Sequence, residues 1–469
     1  MQKVFPSCDV LDRRCYKQYG LTEDILMENA AGGMARYIRK YFKKGESVLI
    51  VSGVGNNGAD GIVLARQLHG DYAVRLHLPF GLRSQMAVLQ LSRAKSLGVP
   101  IVEAMEDADV VVDALFGAGL SRQLDEETQH IIRKLNSFAG HKIACDIPTG
   151  MGEDGRLMPL AFHADITVTM GAYKEALYLD EGKECVGRII RADLGVSSRM
   201  YEMKSDTFVL DANDLKLPLR CSSVTHKGSF GHAAVFCGEK EGAGIIAATA
   251  ASRFGAGLTT LVVHQKVSPP AYLMHATVVP PNASAIAIGM GLGEHFESEF
   301  LQEQVIGSHL PIVLDADSFS HEDLLAILEQ KERDIVVTPH PKEFSLLWER
   351  LTGEHVSVAD IQKQRFAMVR KFNARYPHVT LLLKGANMLI AQEEQLYINP
   401  LGTANLSKGG SGDVLSGLVV SLLAQGYPGI EAAIHGSLAL TAAASRYEGA
   451  SYAMLPTDII DEVVKLEKR

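Results

Sequence analysis

The chain has 469 residues, of which 47% are hydrophobic and 22% are charged, and its formal net charge is −9. This length and apolar content are enough for two or three domains, each with a buried core. A net acidic chain does not attract polyanions. The charge therefore argues against a nucleic-acid-binding or anionic-membrane surface and favours small-molecule partners.

The cysteines and the N-terminus bear on the cellular compartment. Six cysteines lie far apart with no C-x-x-C, so neither a zinc cage nor a disulfide framework is indicated. The first ten residues, MQKVFPSCDV, lack the apolar centre of a secretion signal, and the apolar stretch 242–263 is interrupted by Arg253 and glycines. We therefore expect a cytoplasmic protein without a membrane span.

In the first half of the chain, short β-branched segments alternate with helical patterns between residues 46 and 194. The predicted strands, in chain order, are SVLIVSG, YAVRLHL, DVVVDALFG, HKIACDI and DITVTM. This alternation is typical of βαβ units around a largely parallel sheet.

A second series of predicted strands begins at Gly231, with HAAVFCG, LTTLVV, AIAIGMGLG, PIVLDADS, DIVVTPH and a hairpin in TLLLKGANMLIA. Three helical patterns close the chain, at roughly 412–426, 428–448 and 456–468. Residues 199–229 have weak periodicity, which places a domain boundary near residue 205. We therefore expect an α/β protein with two domains, 1–205 and 206–469. The sequence has no internal repeat, so it gives no support for duplication of one domain.

A polar glycine-rich segment, GVGNNGADG at residues 53–61, stands between a predicted strand and a predicted helix. Ligands of open α/β sheets bind at such points, and the amides of a helix N-terminus favour phosphate. Its two asparagines and Asp60 distinguish it from a bare G-x-G-x-x-G loop. The structural alternative is a tight turn with Asp60 in the first helical turn, where a carboxylate suits the helix dipole.

Two further carboxylates follow apolar strands, Asp113 in DALFGAGL and Asp146 in DIPTG. Each alone is compatible with an ordinary cap or turn aspartate. Because strand ends converge at the carboxyl edge of a parallel sheet, the set indicates a crevice site. Asn57, Asp113 and Thr149 together offer hard oxygen ligands, which suit a group 1 or group 2 cation better than zinc.

These motifs, with TVTMGAYK and with LMENAA at residues 26–31, together resemble the NAD(P)H-hydrate epimerase domain over most of residues 1–200. The resemblance implies a Rossmann-like α/β/α sandwich, a potassium site at Asn57, Asp113 and Thr149, and Asp146 as the acid or base. The residues that it assigns to the hydrated cofactor are Asn56, Asn57, Gly58, Ala59, Asp60, Gly117, Ala118, Gly119, Leu120, Ser121, Arg122, Gln123 and Asp146.

In the second half, glycines again precede predicted helices, in THKGSFG at residues 225–231, in GEKEGAGIIAA and in GMGLG. Ala243 lies at the start of one of these helices. His340 stands between two prolines in TPHPKEF, so it cannot lie inside a helix or a central strand, and we expect it on a loop at the sheet edge. A lone histidine is more often structural than functional, and we leave both roles open here.

The segment LSKGGSGDVLSG, residues 406–417, places one carboxylate, Asp413, directly after four closely spaced glycines and serines. Unpaired amides at the start of a helix stabilise negative charge, and a carboxylate beside them can take a proton from an attacking hydroxyl. The structural alternative is an N-cap glycine loop with a dipole-compensating aspartate. Lys408 adds a positive charge, which we expect near phosphate.

HKGSFG, GMGLG, DAD, TPHP-x-E, KG and GGSGD together resemble the ADP- or ATP-dependent NAD(P)H-hydrate dehydratases over about residues 210–469. The resemblance implies a ribokinase-like α/β/α domain, Asp413 as the base, and magnesium with the nucleotide. It assigns Ala243, Gly291, His340 and Asp413 to the hydrated cofactor. It assigns Lys384, Gly385, Ala386, Asn387, Met388 and Gly412 to the adenine nucleotide.

The two resemblances together imply a bifunctional lyase and isomerase that repairs nicotinamide cofactors and forms a homo-oligomer. It would interconvert the R and S hydrates and dehydrate the S form with ADP or ATP, through a phosphorylated intermediate. Two alternatives stay open at this point. The second domain is compatible with a small-molecule kinase, for example of a vitamin precursor, since GGSGD is shared across that fold. The first domain is compatible with a non-catalytic binding module.

Overall fold

The computed structural model describes residues 1–117, 119, 123–152, 154–293 and 298–467. The chain divides into two compact units, an N-terminal unit of residues 2–205 and a C-terminal unit that begins at Asp206 and also includes Met1. Within the described ranges, no helix is long and apolar enough to cross a membrane.

The N-terminal unit is built on a parallel sheet. Its strands are β1 (Gln2–Phe5), β2 (Ser47–Ser52), β3 (Ala73–His77), β4 (Ile101–Val102), β5 (Val110–Ala114), β6 (His141–Cys145), β7 (Ile166–Met170), β8 (Tyr173–Lys174) and β9 (Arg188–Ala192). The main sheet has the order β4-β3-β2-β5-β6-β7-β9. Every neighbouring pair in it is parallel, as is the separate pair of β1 and β8.

Helices cover both faces of this sheet. They are α1 (Asp9–Gln18), α2 (Glu23–Tyr41), α3 (Asn56–Leu68), α4 (Gln85–Ser96), α5 (Glu126–Ser137), α6 (Lys183–Val186) and α7 (Ser198–Tyr201). Because side chains alternate along a strand, Val48 and Ile50 of β2 pack into the core under α2 and α3, while Leu49 and Val51 pack into the core under α5. The unit is therefore a three-layer sandwich, as the sequence predicts.

The C-terminal unit has a larger sheet. Its strands are β10 (Thr207–Val209), β11 (His232–Cys237), β12 (Leu258–Val263), β13 (Met274–Ala276), β14 (Ala285–Ile288), β15 (Ile312–Leu314), β16 (Ile335–Val337), β17 (Val379–Leu383), β18 (Met388–Gln392) and β19 (Gln395–Asn399). Their order is β13-β12-β11-β14-β15-β16-β17-β18-β19-β10. The pairs are parallel from β13 to β17, and β17, β18 and β19 form an antiparallel meander that contains the predicted hairpin.

The helices of this unit are α8 (Glu241–Arg253), α9 (Ser298–Leu301), α10 (Glu322–Leu325), α11 (Pro341–Thr352), α12 (Val358–Lys363), α13 (Arg365–Arg375), α14 (Ser411–Ala424), α15 (Gly429–Arg446) and α16 (Pro456–Val463). Helix α14 is buried along almost its whole length and packs on α8. A Cβ atom at Gly417 would lie 2.2 Å from the Ala247 carbonyl oxygen, so glycine is required where these helices meet. The start of α14 also lies against the first half of α8, because a Cβ atom on Gly410 would be 3.5 Å from the Ile246 side chain.

Register places the candidate residues at one edge of each sheet. Val51 of β2 pairs with Asp113 of β5, so these two strands end level with each other. Leu314 of β15 likewise pairs with Ile288 of β14 and with Val337 of β16. The loops that follow these strands therefore meet at the carboxyl edge, where ligands of α/β sheets bind.

The α/β class with parallel sheets is confirmed, and two of the three closing helices agree with the predicted ranges to within a few residues. The third, α16, ends at Val463, earlier than predicted. Strand β9 and helix α2 were missed. The residues of β9, RIIRA, carry two arginines, which hide its apolar pattern.

Candidate functional site

The glycine-rich loop after β2 leads directly into α3. This helix begins at Asn56, with Gly55 in extended conformation before it. The Asn56 side chain donates to the Glu23 carboxylate, and its Oδ1 accepts a hydrogen bond of 2.6 Å from Ser84 Oγ. The structure thus adds Glu23 and Ser84, which the sequence analysis did not single out, to the surroundings of this loop.

The glycines of this loop are required by close backbone contacts. A Cβ atom at Gly58 would lie 2.0 Å from the Gly53 carbonyl oxygen. We expect Gly58→Ala to destabilise the chain by about 1–3 kcal/mol, the usual cost of overpacking. The control is Gly32→Ala in α2, where the nearest atom is 3.6 Å from the added carbon. Thermal unfolding should show a lower melting temperature for the first variant only.

The structural alternative placed Asp60 in the first turn of α3, where its charge would suit the helix dipole. The helix already begins at Asn56, so Asp60 lies beyond its first turn. Burial raises the pKa of Asp60 well above its ordinary value, and the charges of Asp146, Asp12 and Glu23 raise it further. A carboxyl in these surroundings favours its neutral form, in which it can donate a hydrogen bond.

Two of the three predicted cation ligands, Asp113 and Thr149, are in direct contact in the N-terminal unit. Asp113 is fully buried, and its carboxylate accepts bonds of 2.7 Å from both the backbone nitrogen and the hydroxyl of Thr149. Burial raises the pKa of Asp113 to about 6, although these hydrogen bonds oppose the shift. A Cβ atom at Gly117 would lie 3.1 Å from Asn57 Oδ1, so the loop after β5 also contacts Asn57.

Asp146 follows β6 in the left-handed backbone region, with φ of 70°. Its Oδ1 accepts bonds from Lys174 Nζ at 2.6 Å, from the Met170 backbone nitrogen at 2.9 Å and from the Thr169 hydroxyl at 3.3 Å. A non-glycine residue in this conformation is strained, and such strain accumulates at functional sites. Among the described residues no hydrogen bond reaches Oδ2, which leaves that oxygen available to a ligand.

Lys174 is almost completely buried. Burial disfavours its ammonium, but Asp146, together with Cys8 and Asp12, outweighs this effect and raises the pKa of Lys174 above its ordinary value. Lys174 is therefore a fixed positive charge beside Asp146. The sequence analysis did not assign Lys174 to the site, since the pairing depends on β8 folding back beside β7.

The remaining residues assigned to the epimerase pocket are distributed as follows. Ala59 is a buried residue of α3, whereas Gly119 and Gln123 are exposed. Ala118, Leu120, Ser121 and Arg122 lie outside the described residues.

In the C-terminal unit, the segment GGSGD forms the N-terminus of α14. Gly410 precedes the helix with φ of 95°, and Asp413 lies in the first turn, as predicted. Burial raises the pKa of Asp413 to about 6, the charge of Asp315 adds to this, and Lys384 opposes it. A carboxyl with this pKa is largely ionised at neutral pH and still basic enough to accept a proton.

A buried network lies beside this turn. Asp315, only 1% exposed, follows β15 and accepts bonds from Lys384 Nζ at 2.8 Å and from Ser416 Oγ at 2.7 Å. Lys384 Nζ also lies 3.5 Å from Glu343 Oε2. Burial opposes the ammonium, yet Asp315 and Glu343 raise the pKa of Lys384 above its ordinary value. A Cβ atom added to Gly412 would lie 3.4 Å from Lys384 Nζ. The positive charge of Lys384 therefore lies at the start of α14.

His340 caps α11, directly after β16. Its Nδ1 accepts bonds of 3.2 Å from the backbone nitrogens of Lys342 and Glu343, and the His340 backbone donates to Glu343 at 2.7 Å. The ring is half-exposed, with Nε2 3.2 Å from Glu343 Oε1. His340 thus lies at the sheet edge, as predicted, and its capping role leaves one face of the ring accessible.

Ala243 and Gly291 lie side by side at the same edge. Gly291 has φ of 63°, and a Cβ atom there would lie 3.1 Å from the Ala243 Cβ and 2.7 Å from the Lys240 carbonyl oxygen. The loop after β14 therefore packs tightly on the N-terminus of α8. Ala243 remains partly exposed there, whereas Gly291 is buried.

The turn between β17 and β18 holds the residues assigned to the nucleotide. The Lys384 backbone donates to the Pro339 carbonyl oxygen at 2.9 Å, and buried Arg365 donates to the Lys384 carbonyl oxygen at 3.0 Å. Gly385 and Ala386 are accessible, whereas Asn387 and Met388 are buried. Only backbone atoms of Met388 are therefore available to a ligand, because its side chain belongs to the core.

Two basic residues near these loops have defined positions. Lys408 Nζ donates to the Tyr452 carbonyl oxygen at 3.0 Å, which holds it against the segment between α15 and α16. Lys342 contributes its backbone nitrogen to the His340 cap.

Two regions of the chain match known families. Residues 233–465 match the family described as NAD(P)H-hydrate dehydratase, and residues 23–176 match the YjeF-related protein N-terminus. The fold and the matched regions together define a two-part α/β enzyme whose second part is a dehydratase, which is a lyase.

The relatives extend over the whole chain. A bifunctional NAD(P)H-hydrate repair enzyme Nnr of Helicobacter pylori is 39% identical, and the match covers 99% of this chain and 100% of that protein. One from Coxiella burnetii is 33% identical over 94% of each chain. A Bacillus subtilis ADP/ATP-dependent NAD(P)H-hydrate dehydratase, co-crystallized with ATP/Mg²⁺, is 25% identical with a TM-score of 0.44, covering 53% of this chain and 93% of its own.

The chain belongs to the family of bifunctional NAD(P)H-hydrate repair enzymes. The family and the enzyme class expected from the sequence, a lyase joined to an isomerase, are thereby confirmed.

Proposed function

We propose that this chain restores hydrated NADH and NADPH with two sites, one at the carboxyl edge of each main sheet. The N-terminal site interconverts the R and S hydrates at C6, and the C-terminal site dehydrates the S form with ADP or ATP. The observation that carries the proposal is the position of Asp413 in the first turn of α14, where Gly412 lies next to the Lys384 ammonium.

The dehydration follows from the chemistry of the hydrate. Its C6 hydroxyl is a poor leaving group. Asp413 takes the hydroxyl proton while the oxygen attacks the terminal phosphorus of the nucleotide, and the bond from that phosphorus to AMP or ADP breaks. The ring nitrogen then expels phosphate, and loss of a proton from C5 restores the 5,6 double bond. Amides at the start of α14 stabilise the charge on the phosphoryl group during transfer.

The C-terminal site divides the substrates between two sets of residues. Ala243, Gly291, His340 and Asp413 contact the hydrated cofactor. The turn of Lys384, Gly385, Ala386, Asn387 and Met388 contacts the nucleotide together with Gly412. The tight packing of Ala243 against Gly291 supports this division, because it leaves a flat surface for the dihydropyridine ring.

The N-terminal site inverts C6 with the help of Asp146. A hemiaminal carbon inverts when it loses and regains hydroxide or when the ring opens, and either route needs proton transfer. Lys174 fixes Asp146 Oδ1, so Oδ2 faces the substrate as the base. Asn56 to Asp60 contact the phosphates of the cofactor, and residues 117–123 close the pocket.

A potassium ion fits the buried oxygen set of Asn57, Asp113 and Thr149. A fully buried carboxylate that no ammonium or guanidinium contacts among the described residues gains from a bound cation. The ion would supply a fixed positive charge near the cofactor phosphates.

Magnesium would be held mainly by the nucleotide. In the described part of the chain, no group of three or more acidic, histidine or cysteine side chains is arranged to hold a metal ion. Mg²⁺ commonly binds through phosphates and water, and there it neutralises phosphate charge. A cytoplasmic location and a homo-oligomeric state complete the proposal.

The test is an absorbance assay. Mixed R and S hydrates of NADH are incubated with the enzyme and either ADP or ATP, and the absorbance of NADH is followed. We expect both epimers to be consumed in full with at least one nucleotide. No return of NADH with either nucleotide would contradict the dehydratase site, and recovery that stops after the S epimer would contradict the epimerase site.

The rate of dehydration should depend on pH through Asp413. Its pKa of about 6 means that the base is ionised above that pH and becomes protonated below it. We expect kcat/KM for the hydrate to be level near pH 7.5 and to fall about tenfold for each unit below about pH 6. A profile that stays level to pH 5 would show that another group acts as the base.

A further inference from the structure

Asp315 connects two parts of the C-terminal site without facing the substrates itself. Its Oδ1 accepts from Lys384 Nζ at 2.8 Å and its Oδ2 accepts from Ser416 Oγ at 2.7 Å. Lys384 belongs to the turn after β17, and Ser416 lies three residues after Asp413 on α14. One buried carboxylate therefore joins the turn assigned to the nucleotide to the helix that carries the base.

Lys384 is held from a second side as well. Glu343 Oε2 lies 3.5 Å from Lys384 Nζ and also accepts a 2.7 Å bond from the His340 backbone. The Lys384 side chain is 18% exposed, so a ligand can approach it from the direction that the two carboxylates leave open. That direction includes Gly412, whose added Cβ would lie 3.4 Å from Nζ.

A charge in this position differs from a general nucleotide contact. A lysine on a flexible stem loses entropy when it binds phosphate, whereas an ammonium that is already held by carboxylates does not. Preorganised positive charge is most useful where negative charge develops, which in phosphoryl transfer is on the oxygens around the phosphorus. The first turn of α14 is the place where that phosphorus lies according to the proposed function.

We propose that Asp315 is a positioning residue for phosphoryl transfer, which holds the Lys384 ammonium at the start of α14 where it meets the phosphoryl group passing to the hydrate. The inference rests on the proposed function of the dehydratase site. Asp315 takes no proton and forms no bond to either substrate. The proton goes to Asp413, the new oxygen–phosphorus bond is to the hydrate, and the broken one is to the departing nucleotide.

The test is a double-mutant cycle on the full-length enzyme, with kcat and KM measured for nucleotide and hydrate. Lys384→Met should lower kcat about 100-fold, as does loss of one charge-stabilising donor in other enzymes. Asp315→Asn should lower kcat at least about tenfold, with the KM for the hydrate within twofold. The double variant should be no slower than Lys384→Met, because Asp315 acts through Lys384. Glu322→Gln, whose carboxylate is 92% exposed, is the acid-to-amide control and should match the wild type.

A second readout separates positioning from a purely structural role. The Asp413 carboxyl faces the charges of Asp315, Lys384, Asp317 and Glu343. Removing the negative charge in Asp315→Asn should move the acid limb of the pH profile to lower pH, and Lys384→Met should move it to higher pH. If Asp315 has only a structural role, its replacement should lower the melting temperature, and the acid limbs of the two variants should not move in opposite directions.

Ser416→Ala keeps the inference testable if Asp315→Asn does not fold. It retains the charge of Asp315 but removes one of its two hydrogen bonds, so kcat should fall several-fold and should not fall further in the Lys384→Met background. Independent, multiplicative losses in the cycle, or a wild-type kcat for Asp315→Asn, would overturn the role of Asp315. A wild-type enzyme that returns no NADH with either nucleotide would instead overturn the proposed function.

Discussion

Replacing Asp413 with Asn is expected to lower the rate of nucleotide-dependent dehydration by about 10²–10⁴-fold, the usual contribution of a general base. Asn has the same shape but cannot accept the hydroxyl proton, so the substrates should still bind. Epimerisation should be unchanged, because Asp146 and Lys174 belong to the N-terminal unit. The return of NADH absorbance measures the first activity. Conversion of pure R hydrate into a mixture, followed by chromatography, measures the second.

The control for this substitution is Asp461→Asn on α16, where the carboxylate is 61% exposed and pairs with Arg253. It should leave both rates unchanged. Loss of both activities in Asp413→Asn, with an unchanged melting temperature, would contradict the division of labour between the two units. A loss of less than tenfold would show that Asp413 stabilises charge or orients the hydrate without acting as the base.

The sequence predicts the carboxyl-edge loops well because their chemistry is local. The segment GGSGD contains both the glycine needed at φ of 95° and the carboxylate of the first turn, within four residues. His340 between two prolines is similarly determined by its neighbours, since Pro341 is suited to the first position of a helix. Such features depend on backbone geometry over a few residues, and a pattern can show them.

The ion pairs were not predictable in the same way. Asp315 and Lys384 are 69 residues apart, and Asp146 and Lys174 are 28 apart, so nothing local marks either pair. Their association depends on which strands become neighbours in the sheet. The motif KG indicated a lysine near the nucleotide but gave no sign that two carboxylates hold its ammonium. The structural alternative for Asp60 fails for the opposite reason, because it places the start of α3 too late in a glycine-rich segment.

These pairs also give the two proposed sites a common design. In each, an aspartate that follows a buried strand accepts a hydrogen bond from a lysine ammonium of low exposure. In the N-terminal unit, the aspartate itself would face the substrate through its free oxygen. In the C-terminal unit, both oxygens of Asp315 are occupied, so the lysine faces the ligand. The same pair of residue types thus offers a base in one site and a cation in the other.

Lys174→Met is expected to destabilise the N-terminal unit by about 3–5 kcal/mol and to abolish epimerisation. Methionine has a similar volume, so the loss comes mainly from electrostatics: Asp146, 15% exposed, keeps its charge but loses the buried ammonium 2.6 Å away. Without that partner, Asp146 Oδ1 retains only the bonds from Met170 and Thr169. Hydrogen-exchange mass spectrometry assigns the loss of stability to peptides of residues 2–205 or 206–469.

The matched variant is Lys174→Met combined with Asp146→Asn, which removes both charges and keeps the shapes. If an unpaired buried carboxylate causes the instability, the double variant should regain most of the lost free energy of unfolding, because no charge then remains buried without a partner. It should stay inactive as an epimerase, since Asn cannot act as the base. Recovery of epimerisation in the double variant would remove Asp146 from the mechanism. Equal instability of the single and double variants would show that Lys174 stabilises the unit through packing. In that case the charge of Lys174 does not hold Asp146 in its strained conformation.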